Sequence, residues 1–560
     1  PGSHAFGPLD QGYFVFNPGV QFQSPGTITL AAADGTLSAN VPVQVLGPDQ
    51  VRIVDDASRF AVAGAPYRYS STGAVTAVST AGPPRFQTCP PTPPGFDVDP
   101  ESGVVDWTPS APGMVSVCVQ ANAGFGPQDV LTYTIDVAPG PRPGPPDAGF
   151  VVRPPQSAPG AFVVLDPRGT RSQVGPPIFR WRFGDGAWPS TDPKPFHRYL
   201  LPGGYRPHLT VWDGAGQSAT ADRPLQVGSA IRLPPTVRIS SAQPLQGRDW
   251  LDATLSAEVT QGTGPSPGLV AFRWDLGDGT SHSGTLAAGQ TVPDAPAGYG
   301  PGRYFAQLLV LDGNGMTASD KVEVVVTRGD EQPPDCLATV EPTALFLSGN
   351  IGRAAFRAFQ LPGTARLIDP VWTIDGQPSS GPVAGQTYDA GGWHDGALVV
   401  RDEAGLLCKD QLELAVIPSP STLNLPPRII HPGGGTATCG KALEGEAPVV
   451  ADPAGLGVTW SLAVASPGGA VDSEGRLSWT PPAASSAPGS FVLVATGAAG
   501  SDRQAISVPV ECPDSRELGT TCGGCGAGGG SPLLALAASG LLARARRRPT
   551  ASRRPAAPPR

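Results

Sequence analysis

The chain has 560 residues and a formal net charge of −9, with 38 Lys and Arg against 47 Asp and Glu. This acidic balance argues against nucleic acid as a partner, because nucleic-acid binding requires a basic face. Glycine and proline number 73 and 67, a level at which low complexity or disorder is a concern. Hydrophobic residues nevertheless reach 40%, so we interpret the glycines and prolines as turn residues between many short strands.

The first segment, residues 1–46, contains an alternating apolar run over residues 24–45. This run predicts the last two strands of a β-sandwich. The sequence begins at Pro1, and neither the charged nor the apolar region of a signal peptide precedes the run. We therefore expect the sequence to be an N-terminally truncated fragment of a protein that carries a signal peptide.

A tryptophan motif recurs along the chain at intervals the size of a small domain. F-R-W-R-F-G-D-G occupies 179–186, F-R-W-D-L-G-D-G occupies 272–279, and V-W-T-I-D-G occupies 371–376. The three tryptophans lie 93 and 98 residues apart, and each copy is a short alternating run that ends in a turn. A repeat of this length is a whole domain, not a solenoid unit.

The repeats and their alternating runs predict an all-β chain of tandem immunoglobulin-like β-sandwich domains. An apolar run near the end of the chain predicts a short C-terminal transmembrane helix. We number five predicted sandwiches in chain order: module 1 (47–139), module 2 (147–228), module 3 (234–327), module 4 (335–418) and module 5 (426–512). The Pro-rich segment at 140–146 is typical of a semi-rigid spacer. Residues 513–560 form a tail, and we expect each module to fold independently.

Modules 1 and 5 share a hairpin motif. P-G-F-D-V-D-P-E-S-G-V-V-D-W-T-P spans 94–109, and P-G-G-A-V-D-S-E-G-R-L-S-W-T-P spans 467–481. In each copy an acidic turn with a glycine reverses a strand, and the tryptophan, Trp107 or Trp479, follows on the returning strand. This motif resembles the immunoglobulin-like, cadherin-like domain of bacterial surface proteins.

Modules 2 and 3 share a tryptophan, a Gly-Asp-Gly turn, a tyrosine and a second aspartate in the same order. This order resembles the polycystic-kidney-disease (PKD) type of β-sandwich module. The matching positions are Trp181, Gly184, Asp185, Gly186, Tyr205 and Asp213 in module 2, and Trp274, Gly277, Asp278, Gly279, Tyr304 and Asp312 in module 3. Module 4 keeps Trp372 and Asp375 but has His394 at the tyrosine position, so we interpret it as a degenerate PKD or immunoglobulin-like domain.

The tryptophans on predicted central strands are expected to fill the space between two sheets. These core positions are Trp107, Trp181, Trp274, Trp372, Trp460 and Trp479. Four tryptophans lie outside the motif positions and are candidates for stacking on carbohydrate: Trp188, Trp212, Trp250 and Trp393. Asp185 and Asp278 are predicted turn residues, whose carboxylates accept backbone amides while the neighbouring glycines supply positive φ.

Acidic residues near the hairpins offer a calcium-binding alternative, because calcium takes six to eight oxygen ligands. The candidate ligands are Asp55, Asp56, Asp97, Asp99, Glu101, and Asp312 with Asn314. None of these groups forms the regular loop of an EF-hand, so no metal site is predicted outright. Some members of both families bind calcium between modules, so the resemblance implies calcium as the one cofactor to consider.

Six of the eight cysteines fall in pairs within single modules: Cys89 with Cys118, Cys336 with Cys408, and Cys439 with Cys512. Even counts confined within domains are typical of disulfides in an exported protein. Closing loops of this size would stabilise each module by about 3–4 kcal/mol on the chain-entropy model.

The tail combines a cysteine pair, a glycine tract, an apolar run and an arginine cluster. Cys522 and Cys525 precede the apolar run 527–543, whose length is near the lower limit for crossing a bilayer. The cluster, which would stay cytoplasmic, contains Arg544, Arg546, Arg547 and Arg548. The tail resembles the MYXO-CTERM sorting tail of myxobacterial surface proteins, which implies membrane retention, cleavage by a sorting protease and transfer to the cell surface. An ordinary C-terminal membrane anchor is the alternative.

The six histidines are scattered, and the sequence has no zinc-protease, nucleophile-elbow or P-loop motif. We therefore predict a non-enzymatic, exported stalk at the cell surface, anchored in the outer membrane, that binds an extracellular protein or a polysaccharide. The alternative is the non-catalytic module array of a secreted or surface hydrolase whose catalytic domain is missing from the fragment. Calcium-dependent homophilic adhesion is a third hypothesis.

Overall fold

The computed structural model describes residues 50–512, apart from gaps at 55–56, 80–81, 124–127, 141–143, 230, 348–350, 419–424, 444, 454, 456 and 484, and two strands within 26–45. These residues form 44 β-strands and no helix, which confirms the all-β prediction. The two N-terminal strands pair antiparallel along their whole length: β1 (Gly26–Asp34) and β2 (Leu37–Val45).

Module 1 contains eight strands: β3 (Val51–Ile53), β4 (Phe60–Val62), β5 (Ala77–Ser79), β6 (Arg85–Cys89), β7 (Asp97–Val98), β8 (Val105–Asp106), β9 (Gly113–Asn122) and β10 (Gln128–Ala138). Its main sheet has the order β4-β10-β9-β6, in which the β4–β10 pair is parallel. β7 and β8 form the predicted hairpin, and Trp107 comes directly after β8.

Module 2 contains nine strands: β11 (Val151–Arg153), β12 (Gln156–Ser157), β13 (Phe162–Asp166), β14 (Ile178–Arg182), β15 (Phe196–Arg198), β16 (Gly203–Tyr205), β17 (His208–Trp212), β18 (Ser218–Asp222) and β19 (Leu225–Val227). They form three sheets, β11-β13-β15, β14-β17-β18 and β12-β19-β16. Side chains alternate along β14, so Phe179 and Trp181 are buried while Arg180 and Arg182 lie on the opposite face.

Module 3 contains β20 (Thr236–Ser241), β21 (Gln246–Arg248), β22 (Leu251–Thr260), β23 (Leu269–Asp275), β24 (Ser281–Thr285), β25 (Ala295–Tyr299), β26 (Gly302–Asp312) and β27 (Thr317–Thr327). Module 4 contains β28 (Asp335–Glu341), β29 (Ala344–Phe346), β30 (Gly352–Leu361), β31 (Leu367–Ile374), β32 (Gln377–Ser380), β33 (Val383–Tyr388), β34 (Gly392–Asp402) and β35 (Leu407–Ile417). Module 3 has the sheets β20-β22-β25 and β24-β23-β26-β27-β21, and module 4 has β28-β30-β33 and β32-β31-β34-β35-β29. Module 4 therefore repeats the topology of module 3 strand for strand, although its motif is degenerate.

Module 5 contains nine strands: β36 (Arg428–His431), β37 (Ala437–Thr438), β38 (Val449–Ala451), β39 (Thr459–Ala465), β40 (Ala470–Val471), β41 (Leu477–Ser478), β42 (Gly489–Gly497), β43 (Gly500–Val508) and β44 (Val510–Glu511). Its longest strands pair in the order β39-β42-β43, and β40 and β41 form the second predicted hairpin. Trp479 comes directly after β41, as Trp107 comes after β8.

Five of the six predicted core tryptophans are buried: Trp107, Trp181, Trp274, Trp372 and Trp479. The sixth, Trp460, packs against the module 5 core but is only partly buried. The reason is its position on β39, which is the edge strand of its sheet and is covered by a neighbouring strand on one side only.

Each of the three predicted cysteine pairs is joined in the structure. Cys89 and Cys118 lie opposite each other on β6 and β9, with Cα atoms 5.0 Å apart. The Cα atoms of Cys336 and Cys408 are 5.9 Å apart, and those of Cys439 and Cys512 are 4.9 Å apart. Modules 1, 4 and 5 therefore each carry one internal disulfide.

Modules 2 to 5 pack directly on one another, and that each module folds independently stays a prediction. Short parallel ladders join β16 to β27, β26 to β35 and β34 to β43 across the module boundaries. Modules 3 and 5 also share a small apolar cluster: Ala271, Leu309, Leu311, Ile430 and Ala451. The outer faces of these strands carry apolar side chains, so burying them against a neighbouring module is favourable.

Candidate functional site: an exposed tryptophan and the module junctions

Trp250 is the most exposed of the four tryptophans singled out for carbohydrate stacking, with 58% of its surface accessible. It follows Asp249, whose φ of 64° turns the chain between β21 and β22. The indole Nε1–H donates a hydrogen bond to Oδ1 of Asp252 at 2.8 Å. This bond holds the ring in one orientation, so the tryptophan is positioned before any ligand arrives.

Glycines on the neighbouring strand make room for the Trp250 ring. β22 pairs with β25, and Asp252 lies opposite Gly298. A Cβ atom on Gly298 would lie 2.7 Å from Cζ2 of Trp250, and one on Gly300 would lie 4.0 Å from Cζ3. The ring therefore lies against Gly298 of β25 and close to Gly300, which follows the strand, as aromatic residues cover glycines in other sheets. We call Trp250, Asp252 and Gly298 the Trp250 platform.

Trp212 lies at the junction of modules 1 and 2, where it is only 8% exposed. The guanidinium carbons of Arg68 and Arg180 lie 4.6 Å and 4.9 Å from its ring centroid, within range of a cation–π interaction. Burial lowers the pKa of Arg68 to about 10, and the neighbouring Arg180 acts in the same direction. The ring is occupied by protein groups, so Trp212 is not a stacking surface for a ligand.

Trp188 and Trp393 also lie at module junctions. The ring of Trp188 in module 2 packs edge-on against Phe359 in module 4, with centroids 5.6 Å apart. Trp393 in module 4 donates from Nε1 to the carbonyl oxygen of Pro426 at 3.1 Å, and Arg428 lies 4.4 Å from its ring centroid. Three of the four sequence candidates thus join modules, and Trp250 alone among the four presents an open ring.

The Gly-Asp-Gly turns follow β14 and β23, the strands that carry Trp181 and Trp274. The glycines on either side of Asp185 have φ of 84° and 81°, which L side chains rarely adopt. Oδ2 of Asp185 lies 2.7 Å from Nε2 of His197, and both side chains are almost completely buried. In module 3, Oδ1 of Asp278 accepts the amide and the hydroxyl of Thr280 at 2.8 Å and 2.6 Å. Both aspartates therefore have local structural partners.

The module 1 candidates for calcium are engaged by backbone and arginine groups. Oδ1 of Asp99 accepts the amides of Glu101 and the next serine at 3.1 Å and 2.7 Å. Glu101 pairs with Arg85 at 3.1 Å and with Arg366 of module 4. Asp97 accepts the amide of the following residue at 2.9 Å. These oxygens fix the hairpin and a contact to module 4.

A buried aspartate also lies at the turn of a late hairpin in modules 2, 3 and 4, where β17, β26 or β34 ends. These residues are Asp213, Asp312 and Asp402, each at most 1% exposed. Oδ1 of Asp312 accepts the amides of Asn314 and Met316 at 2.9 Å and 2.8 Å. Burial raises the pKa of the Asp312 carboxyl, and these hydrogen bonds oppose the rise. The described residues contain no group of three or more His, Cys, Asp or Glu side chains arranged to hold a metal ion.

A second set of buried aspartates ties the first strand of a module to its last long hairpin, and sequence reasoning missed it. Each accepts a backbone N–H: Asp320 from Ile239 at 2.7 Å, Asp410 from Ala338 at 2.8 Å, and Asp502 from Ile429 at 2.6 Å. The available signal was the spacing of eight residues from Asp312 to Asp320 and from Asp402 to Asp410. Burial raises the pKa of Asp502 to about 6 and also raises the pKa of Asp320.

The arginine of each F-R-W copy reaches a module two places further along the chain. Arg180 of module 2 pairs with Asp335 of module 4 at 3.0 Å. Arg273 of module 3 donates to the carbonyl oxygen of Ile429 in module 5 at 3.1 Å. It also pairs with Glu413 of module 4, which in turn pairs with Arg428 of module 5. Burial and the nearby Arg273 lower the pKa of Arg428 to about 9. These half-buried to buried ion pairs link three consecutive modules at one point.

A cavity of about 180 Å³ lies between modules 2 to 5. Charged side chains in its wall include Arg182, Asp320, Lys321, Glu413 and Arg428. Most of these charges already have partners in the protein; Lys321, for example, donates to Asp410 at 2.7 Å. The cavity is therefore part of the polar junction between modules, and its lining offers no arrangement of a nucleophile beside a base.

Several predicted residues lie outside the described part of the chain. They are the possible calcium ligands Asp55 and Asp56, the tail cysteines Cys522 and Cys525, and the arginine cluster Arg544, Arg546, Arg547 and Arg548. The predicted transmembrane helix at 527–543 falls in the same tail. Within the residues that are described, no helix is long and apolar enough to cross a membrane.

Residues 144–227 match the family model described as PKD domain, which confirms the interpretation of module 2. The PKD assignment of module 3 stays a prediction. No curated protein matches the chain.

Solved structures similar to this chain are arrays of small β-domains. Extracellular cadherin domains 1–5 of protocadherin gamma B2 are 13% identical, over 77% of this chain and 93% of that chain, with a TM-score of 0.14. Immunoglobulin domains 1–5 of Sidekick-1 are 12% identical, over 83% of this chain and 100% of that chain, with a TM-score of 0.16. Fibronectin(III)-like modules of CbhA from Clostridium thermocellum are 16% identical, over 32% of this chain and 94% of that chain, with a TM-score of 0.14. Likenesses at such TM-scores carry no argument about what this chain does.

Proposed function

We propose that this chain, which contains a PKD domain at module 2, is a non-catalytic, exported module array that binds polysaccharide at the Trp250 platform. The observation that carries the proposal is the exposure of Trp250, at 58%, together with the hydrogen bond that orients its ring. The motif tryptophans fill cores and three other tryptophans join modules, whereas the Trp250 ring covers Gly298 on one side and is open to solvent on the other.

The chemistry of the Trp250 platform suits a neutral sugar. The C–H face of a pyranose packs on an aromatic ring through dispersion and the removal of apolar surface from water. Asp252 uses one carboxylate oxygen for the indole N–H, and a carboxylate has about four acceptor sites in all. The remaining sites can accept sugar hydroxyl groups beside the ring. The platform lies on paired strands, and such a support holds a binding geometry better than a loop does.

The test is retention of the full chain on three insoluble neutral polysaccharides: cellulose, chitin and β-1,3-glucan. We expect the wild type to bind at least one of them and Trp250→Ala to bind about tenfold more weakly, a loss of about 1.4 kcal/mol. Ile231→Ala is the matched control, because Ile231 is 79% exposed and lies outside the platform. Equal retention of the wild type and Trp250→Ala, or retention of neither, would contradict the proposal.

We also propose that the tail anchors the array at the cell surface. Three intramodule disulfides support an oxidising compartment, because such bonds persist mainly outside the cytoplasm. The tail sequence adds the cysteine pair, the apolar run and the arginine cluster. In cells that produce the full chain, we expect the wild type in the outer-membrane fraction and Cys522→Ala/Cys525→Ala in the inner membrane. The same fraction for both proteins would contradict a role of these cysteines in sorting.

A further inference from the structure

One face of module 2, distinct from the Trp250 platform, presents exposed phenyl rings beside cations. It is the outer face of the sheet β11-β13-β15, and we call it the module 2 face. Phe162 is 50% exposed and Phe196 is 57% exposed, although large apolar side chains normally avoid water. Register places Phe196 opposite Val164, and Val164 opposite Arg153, so these three residues form one row across the sheet. Phe162 lies in the next row.

The cations of the module 2 face outnumber its carboxylates. The strand register places Arg198 opposite Phe162. The guanidinium carbon of Arg198 lies 5.1 Å from the ring centroid of Phe162. Arg168 and Lys194 share one carboxylate, that of Asp166, at 3.1 Å and 3.2 Å. Two cations on one carboxylate leave a net positive charge beside the rings.

Arg153 adds a further cation to the module 2 face. Its side chain is exposed, and its charge acts on the Asp166 carboxylate together with those of Arg168 and Lys194. Its strand neighbour across the sheet is Val164, and the row ends at the exposed ring of Phe196. A guanidinium and a phenyl ring therefore occupy the two ends of one short, flat row.

The positive charge is a property of module 2 and not of the whole protein. Module 2 contains nine Lys and Arg against six Asp and no Glu, a formal charge of +3. Each of the other four modules has more acids than bases, and the chain as a whole is at −9. A ligand with a modest density of negative charge would therefore be attracted to module 2, whereas the rest of the protein would repel a polyanion of high charge density.

We propose that the module 2 face binds a polysaccharide that contains uronic acid residues. The phenyl rings would pack against the C–H faces of the sugars, and arginine pairs with carboxylates through two parallel hydrogen bonds. Nucleic acid fits less well, because duplex DNA carries one negative charge per about 1.7 Å and the acidic modules repel such a polymer. A uronic acid polymer carries a single charge per acidic sugar and exposes apolar C–H faces between the charges, which matches two rows that each contain one arginine and one phenylalanine.

The test measures binding of the full chain to polygalacturonate by isothermal titration calorimetry. We expect Phe196→Ala to weaken the affinity about tenfold and Arg153→Gln to weaken it several-fold, with binding lost as salt is raised. Arg476→Gln is the matched control, because Arg476 is an exposed arginine of module 5. Trp250→Ala should leave this affinity unchanged, so that the module 2 face and the neutral-sugar platform are tested separately. Unchanged melting temperatures would show that each variant remains folded.

Three results would overturn the proposal. The first is the absence of binding to polygalacturonate by the wild type, or an affinity of Phe196→Ala and of Arg153→Gln that equals that of the wild type. The second is equal binding of fully methyl-esterified polygalacturonate, because the carboxylates would then not be recognised. The third is displacement of polygalacturonate by polyglutamate at equal charge concentration, because the face would then select negative charge or an acidic peptide without a need for sugar.

Discussion

Arg273 of module 3 donates a hydrogen bond from Nη1 to the backbone carbonyl oxygen of Ile429 in module 5, at 3.1 Å. The same guanidinium donates to Oε1 of Gln504 at 3.1 Å and pairs with Glu413 of module 4. Its neighbour Trp274, one residue later on β23, is 1% exposed in the core of module 3. Two consecutive residues of one strand thus build the core of a module and the junction between three modules.

Replacing Arg273 with methionine should lower the free energy of unfolding by about 2 kcal/mol. Removing one partner of a buried ion pair usually costs about 3–5 kcal/mol, and the loss should be smaller here because Glu413 keeps Arg428 as a partner. Urea unfolding of the full chain measures the change. The control is Arg476→Gln, which breaks an exposed pair with Glu474 and should cost less than about 1 kcal/mol. Equal losses in the two variants would show that the junction adds nothing.

Adding one methyl group beside the Trp250 ring should disturb the platform without removing the ring. In Gly298→Ala the new Cβ would lie 2.7 Å from Cζ2 of Trp250, so the indole must move and its bond to Asp252 must weaken. We expect retention on neutral polysaccharide to fall to about the level of Trp250→Ala. Gly385→Ala is a matched control, since a Cβ on this strand glycine of module 4 meets nothing within 4 Å. Full retention by Gly298→Ala would contradict the geometry.

The Asp502 carboxylate should make module 5 less stable as the pH rises from about 4 to about 7. Burial raises its pKa from 3.8 to about 6 in the folded protein, so the folded state binds a proton more tightly than the unfolded state in this range. The stability contribution is therefore greatest below pH 4 and falls as pH passes 6, by about 3 kcal/mol for about two pKa units.

Asp502→Asn isolates this effect, because the amide oxygen can still accept the N–H of Ile429 while the group no longer titrates. The measurement is the melting temperature of the wild type minus that of Asp502→Asn, taken in steps between pH 4 and pH 7. We expect the difference to become more negative with rising pH. A difference that grows more positive would mean that the carboxylate is stabilised, not penalised, when it ionises.

Removing the disulfide of module 4 should lower its stability by about 3–4 kcal/mol, on the model in which a cross-link restricts the unfolded chain. The double variant Cys336→Ala/Cys408→Ala removes both sulfur atoms, which are completely buried in the core. Urea unfolding under non-reducing conditions gives the change. A reducing agent should destabilise the wild type more than the double variant. Equal sensitivity to the reducing agent would show that this bond does not stabilise the chain.

Local sequence patterns predicted the strands, the turns and most of the core residues. Period-two alternation predicted which side of a strand is buried, as for Trp181 and Trp274, because successive side chains point to opposite faces. Turn chemistry predicted that Asp185 and Asp278 lie in turns that follow the tryptophan strands. Trp460 packs against the module 5 core but stays partly exposed, because β39 is an edge strand, which the alternation does not reveal.

What covers the outer face of each strand follows from packing between modules, which no local pattern predicts. Trp212 and Trp250 both lie outside the motif positions, yet one is enclosed by arginines of two modules and the other is open to water. The difference arises from contacts between residues far apart in sequence, such as Arg68 with Trp212. A local pattern distinguishes two faces of a strand, and packing between modules determines whether the outer face meets solvent, another module or a ligand.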